Sequence, residues 1–199
     1  LLRVDCRRPH KLYTVTPDGR KAIGVGHREG IAYGAGAGDL SESSLHVAMV
    51  EVAARLLAQE YTGPDAPGAS VERYYSVEDG RVDVAVLDRA GDVVATAEAE
   101  RINNDRGEAI PADFDKMAAC APEAAWWLVK TRSDGNAVLE ALNDPPDDDP
   151  RVPRTYSENM APREYRLDTP GLTDVVTFEY ARDTLLDAAP PTLSAAARE

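Results

Sequence analysis

Lysine is close to missing from this 199-residue chain: Lys11, Lys21, Lys116 and Lys130 are all there is, which leaves 18 arginines among the 22 basic residues. Cysteine is scarcer still. Cys6 and Cys120 stand alone and far apart, which excludes a disulfide framework and any cysteine-based structural zinc site; both read as small buried hydrophobes. No apolar run approaches the roughly 18 residues of a membrane-spanning helix, and no charged-then-apolar leader opens the chain. The expectation is a soluble, cytoplasmic protein with no membrane partner. The chain opens at Leu1 inside an alternating stretch, so it reads as the later part of a longer protein.

Carboxylate is abundant: 35 acidic residues against 22 basic ones give a formal charge of -13. Dense Asp and Glu with little Lys, many small apolar residues and few large aromatics is the composition of a cytosolic protein from a salt-saturated, halophilic cell. There the carboxylates hold a hydration layer and the ionic strength screens their repulsion. The acidity then reports the solvent more than the partner, and nucleic acid is not excluded. Charge is also uneven. Residues 1–28 hold seven Lys or Arg against two Asp, net +5, which leaves -18 for residues 29–199.

Leu1–Cys6 alternates, "RRPHK" makes a basic turn and "LYTVT" alternates again, which predicts a hairpin with Arg7, Arg8, His10 and Lys11 at its tip. Thr16 then caps a short helix entered at Pro17. The Gly-, Ala- and Ser-rich stretch 29–43 reads as a linker. Ser43 or Ser44 opens a helix over "LHVAMVEVAARLLAQEY", with Val47, Val50, Ala54 and Leu57 at helical spacing. "VERYYSV", "RVDVAVLD" and "VVATAEAE", separated by short turns, predict an antiparallel meander. A short helix begun at the proline of "AIPADFDKMAAC", a buried strand "AAWWLVKT", a helix "GNAVLEALN", a proline-rich acidic loop, a strand "LTDVVTFEY" and a helix "ARDTLLDAA" complete the expected domain at 44–188. Residues 189–199 read as a disordered tail.

The chemistry converges on one end of the meander. Asp83 begins its second strand, Glu98 and Glu100 end its third, and antiparallel pairing about "DRAG" sets Asp83 opposite Glu98 to within a residue or two. Alternation points Glu98 and Glu100 the same way. Like charges at cross-strand distance repel unless a cation neutralises them, and Asp83 lies between Val82 and Val84, where an unpaired carboxylate would cost several kcal/mol. Such a set suits a hard divalent ion, Mg²⁺ or Mn²⁺, which polarises a phosphodiester and acidifies a bound water. A solvated, salt-adapted strand edge is the competing account of the two glutamates.

Helix, three-strand meander, helix, strand, with an Asp starting the second strand and an acid pair ending the third, resembles the PD-(D/E)xK nuclease superfamily over about residues 44–142. The resemblance implies an α/β fold, a nuclease-like mixed sheet flanked by helices. It makes Asp83 and Glu98 catalytic and metal-holding, with Glu51 of the first helix and Glu100 as further metal ligands. Glu100 stands where the superfamily keeps its lysine and cannot donate to a phosphate. Lys116, on the following helix, supplies a migrated lysine. "LLRVDCRRPHKLYTVTPDGRKAI" is similar to the wing and following helix of a winged-helix domain, so residues 1–28 read as a winged-helix remnant whose basic tip binds DNA. Together the two pieces resemble replication-relaxation type proteins of plasmids and mobile elements.

Two functions follow. One is a Mg²⁺-dependent DNA endonuclease or nickase. The other is a DNA-binding regulator or replication accessory protein whose nuclease-like core is inactive and serves as a partner or homodimer surface. For single residues, Glu51 has an ion pair with Arg55 as its alternative, Lys116 has a surface role, and His46 reads as a helix-start or packing residue. Trp126 and Trp127 read as core on both faces of a buried strand, and "GAGAG" as a flexible loop.

Overall fold

The computed structural model describes residues 2–6, 12–23, 44–102, 106–147, 149–153 and 166–187. At the N-terminal end, β1 (Leu2–Cys6) and β2 (Leu12–Val15) pair as an antiparallel hairpin, followed by the short helix α1 (Pro17–Ala22). Thr16 caps α1 as expected, its hydroxyl accepting the Gly19 N–H at 3.2 Å. The hairpin lies against helix α2 (Ser44–Tyr61). Its tip residues Arg7, Arg8, His10 and Lys11, the linker 29–43 and the tail 189–199 lie outside the described residues.

The rest is a mixed α/β structure around one six-stranded sheet. The meander is β3 (Ser70–Val77), β4 (Gly80–Leu87) and β5 (Val93–Glu100), all antiparallel. Helix α3 (Arg106–Ala119) then crosses to β6 (Ala124–Val129), parallel to β5. After α4 (Arg132–Asn143) come β7 (Arg166–Thr169), β8 (Leu172–Thr177) and α5 (Phe178–Asp187), giving the strand order β3-β4-β5-β6-β8-β7. Helices α2 and α5 cover one face, α3 and α4 the other.

With both faces covered, the central strand can be apolar throughout, and every residue of β6 is buried. Trp126 enters the α2 layer, where it meets the Tyr61 ring edge-on at 6.4 Å. Trp127 enters the α3 layer and donates its indole N–H to the Gly171 carbonyl at 2.9 Å. On α3, Ile110, Phe114 and Met117 are buried at helical spacing and seat the helix on that face.

Three boundaries and one strand differ from the sequence expectation. Helix α3 begins at Arg106, with Pro111 inside it instead of at its start. The proline removes one helical N–H, and the buried stripe that begins at Ile110 carries the helix through. Helix α4 begins earlier than Gly135, because Thr131 and Asp134 form a capping box: the Asp134 N–H donates to the Thr131 hydroxyl at 3.2 Å, and the Thr131 N–H to the Asp134 carboxylate at 2.9 Å. Strand β8 ends at Thr177, whose hydroxyl accepts the Tyr180 N–H at 3.3 Å and turns Phe178–Tyr180 into helix. Strand β7 was not expected; four residues are too few to show alternation.

The β7–β8 turn fixes how deeply α3 sits. A Cβ on Gly171 would lie 2.4 Å from the Phe114 carbonyl oxygen and 2.7 Å from its ring, so only glycine permits this approach. Gly171→Ala should therefore lower stability by about 1–3 kcal/mol, read as a shift of the urea midpoint at unchanged slope. A midpoint equal to that of the parent would show that α3 is not seated by this contact.

Candidate functional site

The register of β4 and β5 pairs Val84 with Ala97, so the next step of the ladder sets Asp83 beside Glu98. Here the sheet is irregular. Val82 packs in the α3 layer while Val84, two residues on, packs in the α2 layer, so β4 turns over at Asp83. In β3 the pairs Arg73↔Val84 and Tyr75↔Val82 bracket Tyr74, whose φ of 55° is left-handed. A non-glycine residue there costs on the order of 1–2 kcal/mol, which the buried Tyr74 ring offsets by packing in the α2 layer. The turnover gives the Asp83 carboxylate access to both sides. One oxygen accepts the Ala99 N–H at 2.9 Å and the other lies 3.3 Å from His46 Nε2, which reaches in from the first turn of α2.

Glu98 points into the α3 layer, its side chain 7% exposed. There it meets Lys116, 13% exposed, whose ammonium lies 3.1 Å from Glu98 Oε1 and 2.6 Å from Asp113 Oδ1 one turn earlier on α3. Glu100 ends β5, two residues after Glu98 on the same strand. Four carboxylates thus share one sheet end with one lysine and one histidine. Their proton affinities record the imbalance. Burial and then the Asp83 charge push Glu98 well above the usual carboxylate range, against the pull of Lys116. Burial, Asp113 and Asp83 push Glu100 up to about 7. Asp113 is raised by burial despite Lys116. Asp83 moves the other way: burial opposes its charged form, but His46 and the Ala99 N–H outweigh that and hold it below its ordinary value. The Lys116 ammonium is raised, burial being outweighed by Glu98 and Asp113.

Of the residues singled out from the sequence, Asp83, Glu98 and Lys116 are brought together and Glu100 adjoins them. Glu51 is engaged elsewhere: its two oxygens accept from Arg55 at 2.7 Å and Arg73 at 2.8 Å, the ion-pair alternative with a second arginine added. From the same helix it is His46, weighted lightly in the sequence, that reaches Asp83. Asp113 went unnoticed, although "DFDK" puts it at the i,i+3 spacing from Lys116 that lets two side chains meet on a helix. Among the described residues, no three His, Cys, Asp or Glu side chains are already gathered as a metal ligand set. The oxygens are turned instead toward protein cations and N–H groups. No described helix is long and apolar enough to cross a membrane.

Comparison with protein-family models, curated proteins and solved structures finds no match for this chain.

The raised Glu100 has a consequence for stability. Its folded value of about 7 lies above its ordinary 4.5, so between those values the folded state binds the proton that the unfolded chain releases. Its contribution is complete at low pH and is lost as pH rises through about 7. Glu100→Gln should flatten the urea midpoint profile between pH 5 and 8 and stabilise the protein at the alkaline end. A variant profile parallel to the parent profile would remove this assignment.

Proposed function

We propose that this chain is a Mg²⁺- or Mn²⁺-dependent DNA endonuclease or nickase of PD-(D/E)xK type, acting in plasmid or mobile-element replication in the cytoplasm of a halophilic cell. The observation that carries the proposal is the Lys116 ammonium, delivered from α3 onto Glu98 of β5 beside Asp83 of β4. It supplies from a helix the lysine that Glu100 cannot be. The element order from α2 to β6 supports the same reading.

The donor chemistry fits a hard divalent ion. The ligands offered are carboxylate oxygens, they outnumber the cations beside them, and burial followed by neighbouring carboxylates holds Glu98 and Glu100 protonation-prone. Asp83 and Glu98 would hold the ion, with Glu100 alongside; a bound Mg²⁺ supplies polarisation of the phosphodiester and a water acidified for attack. Glu51, occupied by two arginines, is left out of this set. His46 and the Ala99 N–H fix the orientation of the Asp83 carboxylate. Lys116 orients the attacking water and places a positive charge where the phosphorane charge develops. The basic hairpin tip at Arg7, Arg8, His10 and Lys11 contacts the DNA backbone, as part of a winged-helix remnant.

Supercoiled plasmid incubated with the full chain in molar KCl and Mg²⁺ or Mn²⁺ should be nicked, and Asp83→Ala and Lys116→Ala should each slow nicking by about 100-fold or more. DNA bound without cleavage would favour the inactive, regulatory reading. Undiminished nicking by Asp83→Ala would end the assignment of the site.

A further inference from the structure

Lys116 is shared between two carboxylates of different kinds. Glu98 is fixed on a central strand, whereas Asp113 lies one turn away on the helix that carries Lys116 itself. The contact with Asp113 is a hydrogen bond of 2.6 Å, shorter than the 3.1 Å ion pair with Glu98. The ammonium thus has an anchor on its own helix in addition to Glu98.

From this arrangement we propose that Lys116 is a built-in cation competing with a divalent ion for Glu98, and that Asp113 is the positioning residue that retains Lys116 when Glu98 is taken. The proposal rests on the metal-binding reading of the site. While no divalent ion is bound, Lys116 is the cation beside Glu98, 3.1 Å from Oε1. When one arrives, the ammonium gives up Glu98 and pivots on Asp113. It thus stays at the edge of the site, where a positive charge is needed, instead of swinging out to solvent. Asp113 moves with Lys116 because both belong to α3, so the tether is independent of the sheet. An aspartate that merely added negative charge would favour the ion whether or not a lysine stood beside it. A tether acts only through the lysine.

That difference sets the experiment. Mn²⁺ binding is measured by electron paramagnetic resonance on the full chain in molar KCl, for the parent, Lys116→Met, Asp113→Asn and the double variant. Lys116→Met should bind about tenfold tighter, since the competitor is gone, and Asp113→Asn about tenfold weaker, since Lys116 then has Glu98 alone. In the Lys116→Met background, Asp113→Asn should weaken binding much less, by only the through-space charge that Glu98 and Glu100 also sense, the non-additivity expected of two groups acting mainly through one contact. Lys116→Gln replaces the methionine variant if circular dichroism shows the latter unfolded. Equal weakening by Asp113→Asn in both backgrounds would make Asp113 a ligand or a bare charge and overturn the proposal, while leaving the metal site intact. Lys116→Met binding no tighter than the parent would overturn it in the same way. Absence of Mn²⁺ binding by all four proteins would remove the metal-binding reading itself.

Discussion

A carboxylate on the covered face of a central strand must find a counter-charge or lose its own. Glu98 is that carboxylate: it sits between Ala97 and Ala99 on a strand buried along almost its whole length, with Asp83 beside it on the neighbouring strand. Much of the surrounding architecture serves to make this tolerable. β4 turns over at Asp83 so that one of its carboxylate oxygens takes a backbone N–H and the other a histidine from α2. Helix α3 arrives on the opposite face with a lysine. Even so, burial penalises the charged forms and the cations are fewer than the acids, so that proton affinities are raised at Glu98, Glu100 and Asp113, first by burial and then by neighbouring carboxylates. A well-packed apolar residue at position 98 would avoid the cost of burying a carboxylate.

The lysine is useful only if α3 is held at one depth and one rotation, and three independent contacts hold it. The apolar stripe of Ile110, Phe114 and Met117 sets the rotation. The Gly171 turn, too close to Phe114 for any side chain, sets the depth. On the solvent side, Arg151 grips Asp115 with two nitrogens, at 3.1 and 2.7 Å, and Asp147 with a third at 2.6 Å. This guanidinium fork ties the proline-rich acidic loop to the helix, so the loop is more than a solvated run of charge. Asp115 lies between Asp113 and Lys116 in sequence, and the clamp therefore acts at the segment that presents both to Glu98.

The sequence displayed most of this, unevenly. The meander, α2 and the buried strand β6 were legible because each carries a strong period or a run too apolar to be anything else. The pairing of Asp83 with Glu98 followed from turn lengths alone. The turnover at Asp83 was not legible, because it depends on Tyr74 adopting a left-handed conformation that tyrosine rarely takes. Without it, strict helical geometry sets His46 off the face of Glu51 and makes Glu51 the ligand candidate from α2. Arg73, the residue that claims Glu51, lies 22 positions away, on β3. Long-range competition for a carboxylate leaves no local trace. Asp113 was legible in principle, three residues before Lys116, but in a chain with 35 acidic residues one more aspartate carries little information until its partner is known.

Salt separates the interior of this protein from its surface. At molar ionic strength the Debye length is about 3 Å, so exposed carboxylates scarcely interact, and the net -18 of residues 29–199 costs little. Buried pairs are screened far less. The carboxylates at this sheet end accordingly sense one another in any solvent, and a monovalent ion from the medium would have to compete with Lys116 for Glu98 and Asp113. Lys116 answers that competition through its covalent attachment: a tethered ammonium sits at an effective concentration that a free monovalent ion must exceed. A chain with four lysines and 18 arginines that keeps one of its lysines here has placed at Glu98 a compact, mobile point charge, where a planar fork would bind two carboxylates at once and not let go.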